Sequence, residues 1–250
     1  MSSVSLPKLL LDQVTLPYRP LGNFVWRLAR GKLGGDPVFA SLLQRGLIPS
    51  HARILDIGCG RGLLAALLCG LDQHPCLPQS WPFGWASAPQ DISVRGIGLM
   101  PRDVERARKA LAHLGARAEF VQGDMRQTDF GQADVVVMLD VLHYVSHAAQ
   151  DDVLRRAKAA LNPGGTLLLR VGDASAGLPF LLSNWVDMMV AFVRGNRTSS
   201  LHCRPLNGWQ QTLSELGFEV QILPMHEGTP FANFLLVARL AATIADATAS

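Results

Sequence analysis

A doubly wound α/β sheet is predicted for this chain, and three observations predict it. First, residues 53–62 read R-I-L-D-I-G-C-G-R-G. A brief apolar run carries one acid, Asp56, then glycines at 58, 60 and 62, then the helix-forming L-L-A-A-L-L. Such a run suits a buried parallel strand, and glycines between strand and helix let the backbone approach a ligand closely. Second, A-D-V-V-V-M-L at 133–139 is the clearest buried strand in the chain. Third, N-P-G-G at 162–165 is a strong turn before another apolar run, Thr166 to Val171. In a doubly wound sheet the ligand lies at the carboxyl ends of the strands.

Composition narrows the class. With 250 residues, 48% hydrophobic and 17% charged, one large domain with a well-filled core is expected. A net charge of +3 is mild and does not point to nucleic acid. Cys59, Cys69, Cys76 and Cys203 form no C-x-x-C pair, so neither a metal site nor a disulfide framework is predicted. Reduced thiols, a start without the basic-then-apolar order of a signal peptide, and no apolar run long enough for a bilayer predict a soluble, cytoplasmic protein.

In chain order, residues 1–50 form an N-terminal extension, loose around Pro7, Pro17 and Pro20. Leu21, Phe24, Val25 and Leu28 recur at helical spacing, and a second helix runs from Pro37 to Arg45 with Asp36 as its N-cap. Arg27, Arg30 and Lys32 read as a solvated face. The main domain is placed at 51–240. Behind its first helix, Gly70 to Asp91 holds Pro75, Pro78, Pro82 and Pro89 with Trp81, Phe83 and Trp85. That excludes regular structure and predicts a surface insertion, folded over the sheet edge or used as an oligomer contact.

Val94 to Leu99 follows as a strand, Pro101 to Leu114 as a helix, and Ala118 to Val121 as the next strand. After the 133–139 strand a helix is expected from about Ala148 to Leu161. Leu178 to Arg194 is apolar almost throughout, a helical cover that is core, acceptor lid or subunit contact. A helix from Leu206 to Leu216, two closing strands (Gly217–Leu223 and Phe231–Leu240) and a frayed tail, 241–250, complete the chain.

The ligand is narrowed by exclusion. Leu63 stands where a dinucleotide fingerprint needs its last glycine or alanine, and no Gly-Lys-Ser/Thr end of a P-loop is present. What remains, acid-x-G-x-G-x-G, resembles the first motif of the Rossmann-like (class I) S-adenosylmethionine-dependent methyltransferases. G-I-G-L-M-P, Gly123-Asp124 and D-V-L-H-Y-V resemble later motifs of the same family. The resemblance implies a mostly parallel seven-stranded sheet in the order 3-2-1-4-5-7-6, with the last strand antiparallel. It implies S-adenosyl-L-methionine as cofactor, lined by Asp56, Gly58, Cys59, Gly60 and Gly62, by Gly98, Leu99 and Met100, by Asp124 and Met125, and by Leu139 and Asp140. One departure stands out. Gly98 occupies the strand end where the family carries an acid for the ribose hydroxyls, leaving Asp103 or water to substitute.

A small, largely apolar or aromatic acceptor is expected, with His143 and His202 as candidate general bases and Tyr144 and Asp173 behind them. H-C-R-P-L and E-G-T-P-F-A-N resemble, more loosely, methyltransferases of bacterial aryl polyene pathways. That implies a phenolic or polyene acceptor borne on an acyl carrier protein. Arg204 reads as part of an exposed basic loop or as a contact to an anionic acceptor. A homodimer stays among the readings. The rivals are a degenerate family member acting as a scaffold, supported by Gly98, and a nucleic-acid methyltransferase. The second is disfavoured by the mild charge and by the lack of an N/D-P-P-Y-type sequence.

Overall fold

In a computed structural model of the chain, residues 5–71, 81–172, 202–225 and 233–240 are described. Strands β1 (Arg53–Ile57), β2 (Ser93–Gly98), β3 (Ala118–Gln122), β4 (Ala133–Leu139), β5 (Leu161–Gly172), β6 (Phe218–Pro224) and β7 (Asn233–Leu240) make a seven-stranded sheet. Their order is β3-β2-β1-β4-β5-β7-β6, as the family resemblance implies. Among the described residues the helices are α1 (Lys8–Thr15), α2 (Asn23–Gly35), α3 (Pro37–Gln44), α4 (Leu63–Gly70), α5 (Pro101–Ala110), α6 (His147–Ala160) and α7 (Leu206–Glu215). The chain divides into two compact units, residues 1–129 and 130–250.

In the first unit β1 and β2 pair in parallel from Arg53↔Ser93 to Ile57↔Ile97, and β2 and β3 from Val94↔Ala118 to Gly98↔Gln122. Every residue of β1 after Arg53 is buried, as expected for a strand covered on both faces. α4 is buried from Leu64 to Gly70, which explains its unbroken apolar sequence. α1 packs on it, and a Cβ at Gly70 would meet Val14 Cγ1 at 2.9 Å.

α1 corrects the expected loose start. Pro7 sits at its N-cap, where a missing N–H costs nothing, and Leu10 and Val14, four apart, turn inward. A 3₁₀ segment, Leu16–Leu21, follows with Tyr18 fully buried. α2 then runs beyond Leu28, the last of the spaced apolar positions, to Gly35, burying Val25, Ala29 and Leu33. α3 begins as expected, with the Asp36 side chain accepting from Val38 N–H. α5 stops at Ala110, and a 3₁₀ segment, Ala112–Arg117, completes the connection that reads as one helix in sequence. Within the Pro/Trp-rich insertion, residues 81–91 contain neither helix nor strand. Trp81 Nε1 donates to the Ala86 carbonyl (2.7 Å), and Ala86 N–H donates to the Gln44 carbonyl (3.0 Å), tying this stretch to the end of α3.

In the second unit β4 and β5 are parallel, with a register shift between Ala133↔Leu161 and Val135↔Thr166. The expected turn at 162–165 is that shift, with Gly164 at φ 74°. β7 runs antiparallel to β5 and to β6. α6 starts on Ser146, whose Oγ accepts from Ala149 N–H, and buries Val153, Leu154, Ala157 and Ala160. α7 buries Trp209 and Leu213 and packs on β6. The apolar segment Leu178–Arg194, Asp173, Cys76, residues 227–232 and the tail 241–250 lie outside the described residues. No described helix is long and apolar enough to cross a membrane.

Candidate functional site

The residues singled out in the sequence fall in both units. In the first unit β1 delivers Asp56, 5% exposed, into a loop where Gly58, Gly60 and Gly62 have φ of 86°, 53° and 75°. Side chains other than glycine strain there. The loop is pinned to the end of β2, since Gly58 and Cys59 N–H both donate to the Ile97 carbonyl (2.8 and 3.1 Å). Gly62 N–H donates back to the Cys59 carbonyl (2.9 Å), and Ala66 N–H to the Gly62 carbonyl (2.9 Å), which opens α4. A Cβ at Gly60 would meet nothing closer than the Gly58 carbonyl oxygen at 4.0 Å. The loop therefore offers open ground beside the first turn of a helix, whose unsatisfied N–H groups favour an anionic group.

Asp56 supplies the opposite preference. Burial alone pushes its carboxyl up to about 7, with no cation acting on it. A cationic ligand group beside it restores the charged form and is itself stabilised. Loop and acid together suit a ligand carrying both signs of charge.

Packing explains the departure at Gly98. Cys59, buried, points its side chain against the two glycines of β2. A Cβ at Gly96 would meet Cys59 Cβ and Phe120 Cδ1, each at 2.8 Å, and one at Gly98 would meet Val104 Cγ2 at 2.8 Å and Cys59 Sγ at 3.2 Å. The volume in which a side chain at 98 would start is taken. Asp103, the acid left to substitute, has its Oδ1 held by Arg61 Nε (3.1 Å) and Arg106 Nη1 (3.4 Å). Leu99 is 55% exposed and Met100 half-buried beside it. Gly123 N–H donates to the Gly98 carbonyl (3.0 Å), so β3 brings Asp124 and Met125 next to this strand end. Arg126 grips the Asp124 carboxylate with Nε (3.0 Å) and Nη2 (2.5 Å) and holds it below the usual carboxylate range.

In the second unit β4 ends at Leu139, and Asp140 follows with φ 57°, a left-handed backbone that a non-glycine residue adopts only when held. The holder is Arg170 on β5, 3% exposed, whose Nε donates to the Asp140 carboxylate (2.8 Å) while Nη2 pairs with its other oxygen. Asp140 N–H donates to the Arg170 carbonyl in turn (3.3 Å). A 3₁₀ turn, Leu142–Tyr144, then carries His143. Desolvation lowers the pKa of its imidazole, partly opposed by the Asp140 charge, so the ring is neutral near pH 7. The structure brings His202 to it through the backbone, His202 N–H donating to the His143 carbonyl (2.8 Å). His202 also lies edge-on to His147, with ring centroids 5.9 Å apart.

Three residues absent from the sequence-based site hold these parts in place. Gln150 is fully buried, and its Nε2 reaches the carbonyls of Leu142 (3.1 Å), Val145 (3.1 Å) and His202 (2.7 Å). Arg170 fixes Asp140. Tyr18 donates its hydroxyl to the Arg61 carbonyl in the glycine loop (2.8 Å). A lone polar residue in an apolar strand or helix face was the signal for Arg170 and Gln150. Tyr18, between two prolines, had none. Arg204 is corrected from an exposed basic position. It pairs with Asp151 (2.7 Å), donates to Thr212 Oγ1 (2.8 Å) and the His147 carbonyl (2.9 Å), and lies over Trp209. Among the described residues no group of His, Cys, Asp and Glu could hold a metal ion.

A doubly wound sheet in this order, with an acid near the end of β1 and three left-handed glycines after it, defines the S-adenosylmethionine-binding class of α/β proteins, and S-adenosyl-L-methionine is the cofactor that the loop and Asp56 fit. The chain belongs to the methyltransferase-domain family, which matches residues 33–221. It is 31% identical over 120 residues to a carboxy-S-adenosyl-L-methionine synthase of Chromohalobacter salexigens, covering 47% of this chain and 39% of that protein. It is 28% identical over 137 residues to a ubiquinone biosynthesis O-methyltransferase of Xanthomonas axonopodis pv. citri, covering 54% and 48%. The matches thus span less than half the length of these curated relatives. Among solved structures, an O-methyltransferase family protein from Burkholderia thailandensis superposes with a TM-score of 0.60 at 20% identity, over 89% of this chain and 62% of that one. Magnesium protoporphyrin IX methyltransferase from Synechocystis PCC 6803, solved with bound SAH, gives 0.57 at 20% identity, over 90% and 93%.

Proposed function

We propose that this chain transfers the methyl group of S-adenosyl-L-methionine to an oxygen of a small, largely apolar or aromatic acceptor. The reading assigns the work to a domain at 51–240, behind an extension at 1–50 and before a tail at 241–250. Asp56 and the loop from Gly58 to Gly62 would hold the cofactor, with Asp124, Met125, Leu99 and Met100 at its nucleoside end and Leu139 and Asp140 contributed by β4. Bound there, the cofactor supplies a methyl group already attached to a good leaving group. The chain's own contribution is then chiefly orientation and exclusion of water.

The observation that carries the choice of oxygen is the neutral, desolvated imidazole of His143, on a turn fixed by Arg170 and Gln150. A phenolic hydroxyl must lose its proton as the bond to carbon forms, and a neutral imidazole accepts it. His202, joined to His143 through the backbone, is the second candidate. Gly98 does not require a decayed enzyme, since packing against Cys59 and Val104 accounts for it.

A phenolic acceptor carried on an acyl carrier protein, a homodimer and a cytoplasmic location belong to the same reading. The test is product formation with phenols offered free and carrier-bound. Methylated phenol, lost in His143→Ala, supports the reading. A cofactor that changes mass while every acceptor stays unmodified contradicts it.

A further inference from the structure

The chain's excess charge and most of its exposed large apolar side chains fall on one stretch. Up to Asp36 the sequence has five cations, Lys8, Arg19, Arg27, Arg30 and Lys32, against two acids, Asp12 and Asp36. That excess equals the +3 of the whole chain, so everything after Asp36 is neutral on balance. Of the six large apolar side chains exposed among the described residues, four, Leu9, Leu16, Phe24 and Leu28, lie here too. Phe24 is 73% and Leu9 60% exposed. The core does not need them, because Leu10, Val14, Val25, Ala29 and Leu33 already fill the inward side of α1 and α2. The two helices and the 3₁₀ segment between them pack on one another, with Gly34 leaving room for Leu11, whose Cδ2 would stand 2.8 Å from an added Cβ.

Charge and apolar surface are interleaved. Arg30 pairs with Asp12, and Lys32 with Asp36 (2.7 Å). Lys8, Arg19 and Arg27 are exposed and stand in no ion pair among the described residues. Lys8 adjoins Leu9, Arg19 follows Leu16 by three positions, and Arg27 lies between Phe24 and Leu28. Arg19 is also stacked over the half-buried Trp26, 4.4 Å from the ring centroid. Such a mixture suits a plane that is anionic at its face and hydrocarbon beneath. A second copy of the chain fits it poorly, since a two-fold contact would set the same positive excess against itself.

We propose that α1, the 3₁₀ segment and α2 form a docking surface for an anionic membrane, resting in its interface. Leu9, Leu16, Phe24 and Leu28 enter below the headgroups, Lys8, Arg19 and Arg27 meet lipid phosphates, and Trp26 sits at the level between them. No described helix is long and apolar enough to cross the bilayer, so the attachment is peripheral.

The experiment is co-sedimentation of the full chain with phosphatidylcholine vesicles, with and without about one third phosphatidylglycerol. Neither cofactor nor acceptor is added, so docking and methyl transfer stand or fall separately. Partition onto the anionic vesicles should exceed that onto neutral ones by about tenfold or more, and should fall as salt is raised from about 0.05 to about 0.3 M. Lys8→Gln, Arg19→Gln and Arg27→Gln together should lower it about a hundredfold, at about fivefold per charge. Phe24→Ser with Leu28→Ser should lower it about tenfold or more. Both variants should keep the wild-type melting temperature and S-adenosylhomocysteine affinity, because every changed side chain is exposed. A wild-type chain that stays in the supernatant, or that sediments equally with neutral vesicles, overturns the proposal. So does undiminished binding in either variant. A dimer seen by light scattering, lost in the Phe24→Ser, Leu28→Ser variant and unaccompanied by vesicle binding, overturns it in favour of a second copy.

Discussion

The glycine loop of the first unit and the turn after β4 in the second are made in opposite ways. The loop takes its form from what the chain leaves out, three positions without Cβ at φ from 53° to 86°. The turn takes its form from side chains that grip backbone: Arg170 holding a left-handed Asp140, and Gln150 holding three carbonyls. A loop made by omission tolerates changes around it and fails when something is added. A turn made by grips fails when one grip is removed. Each substitution below sharpens or breaks that contrast.

The largest effect is expected at His143. With a phenolic acceptor, His143→Ala should lower kcat by about 10²- to 10⁴-fold. Because the pKa of the imidazole is lowered, the neutral base is fully formed by neutral pH. The wild-type rate should rise through a pKa below 6.5 and stay flat above it. Next is Arg170→Met, which leaves the Asp140 carboxylate without its partner. It should cost about 3–5 kcal/mol in chemical denaturation and weaken cofactor binding as well, since it frees the Asp140 carboxylate. Gln150→Leu removes the donor to three carbonyls and should cost about 1–3 kcal/mol. An added rise in KM for the acceptor would separate positioning of His202 from stability alone. Tyr18→Phe, which loses one hydroxyl bond to the Arg61 carbonyl, should cost about 1 kcal/mol. Within the loop, Gly60→Ala meets no atom closer than 4.0 Å, but at φ 53° it strains the backbone by about 1 kcal/mol. It should lower the melting temperature by that strain and weaken the cofactor by more, because the added carbon stands on the open ground of the loop.

The same contrast explains what was legible in the sequence. Spaced glycines and unbroken apolar strands write their geometry into residue identity, so β1, the loop and β4 could be read in advance, and the sheet order followed from the family resemblance. The site's side-chain grips could not, because Gln150 and Arg170 act across 52 and 30 positions of chain. α1 was hidden by prolines of which Pro7 and Pro17 turn out to stand at helix starts, while Pro20 lies inside the 3₁₀ segment. Gly98 was visible as a departure, but its cause was not. Only the folded backbone places Cys59, Val104 and Phe120 around the glycines of β2.

Asp56 ties the loop to the charge it is built to meet. Its pKa, raised to about 7 from 3.8, makes its own contribution to the stability of the unliganded fold largest at low pH. That contribution is fully present below about 4 and is lost as pH rises through about 7. A cation bound beside it reverses the preference and draws off the proton. The most direct measurement is calorimetric titration of S-adenosylmethionine from pH 5.5 to 8, in two buffers of different ionisation enthalpy. The account predicts proton release at the acid end and affinity rising by up to about tenfold per pH unit before levelling near 7. Asp56→Asn should bind more weakly and without that slope. Binding that is independent of pH in the wild type, or an Asp56→Asn variant that binds as tightly, would contradict it.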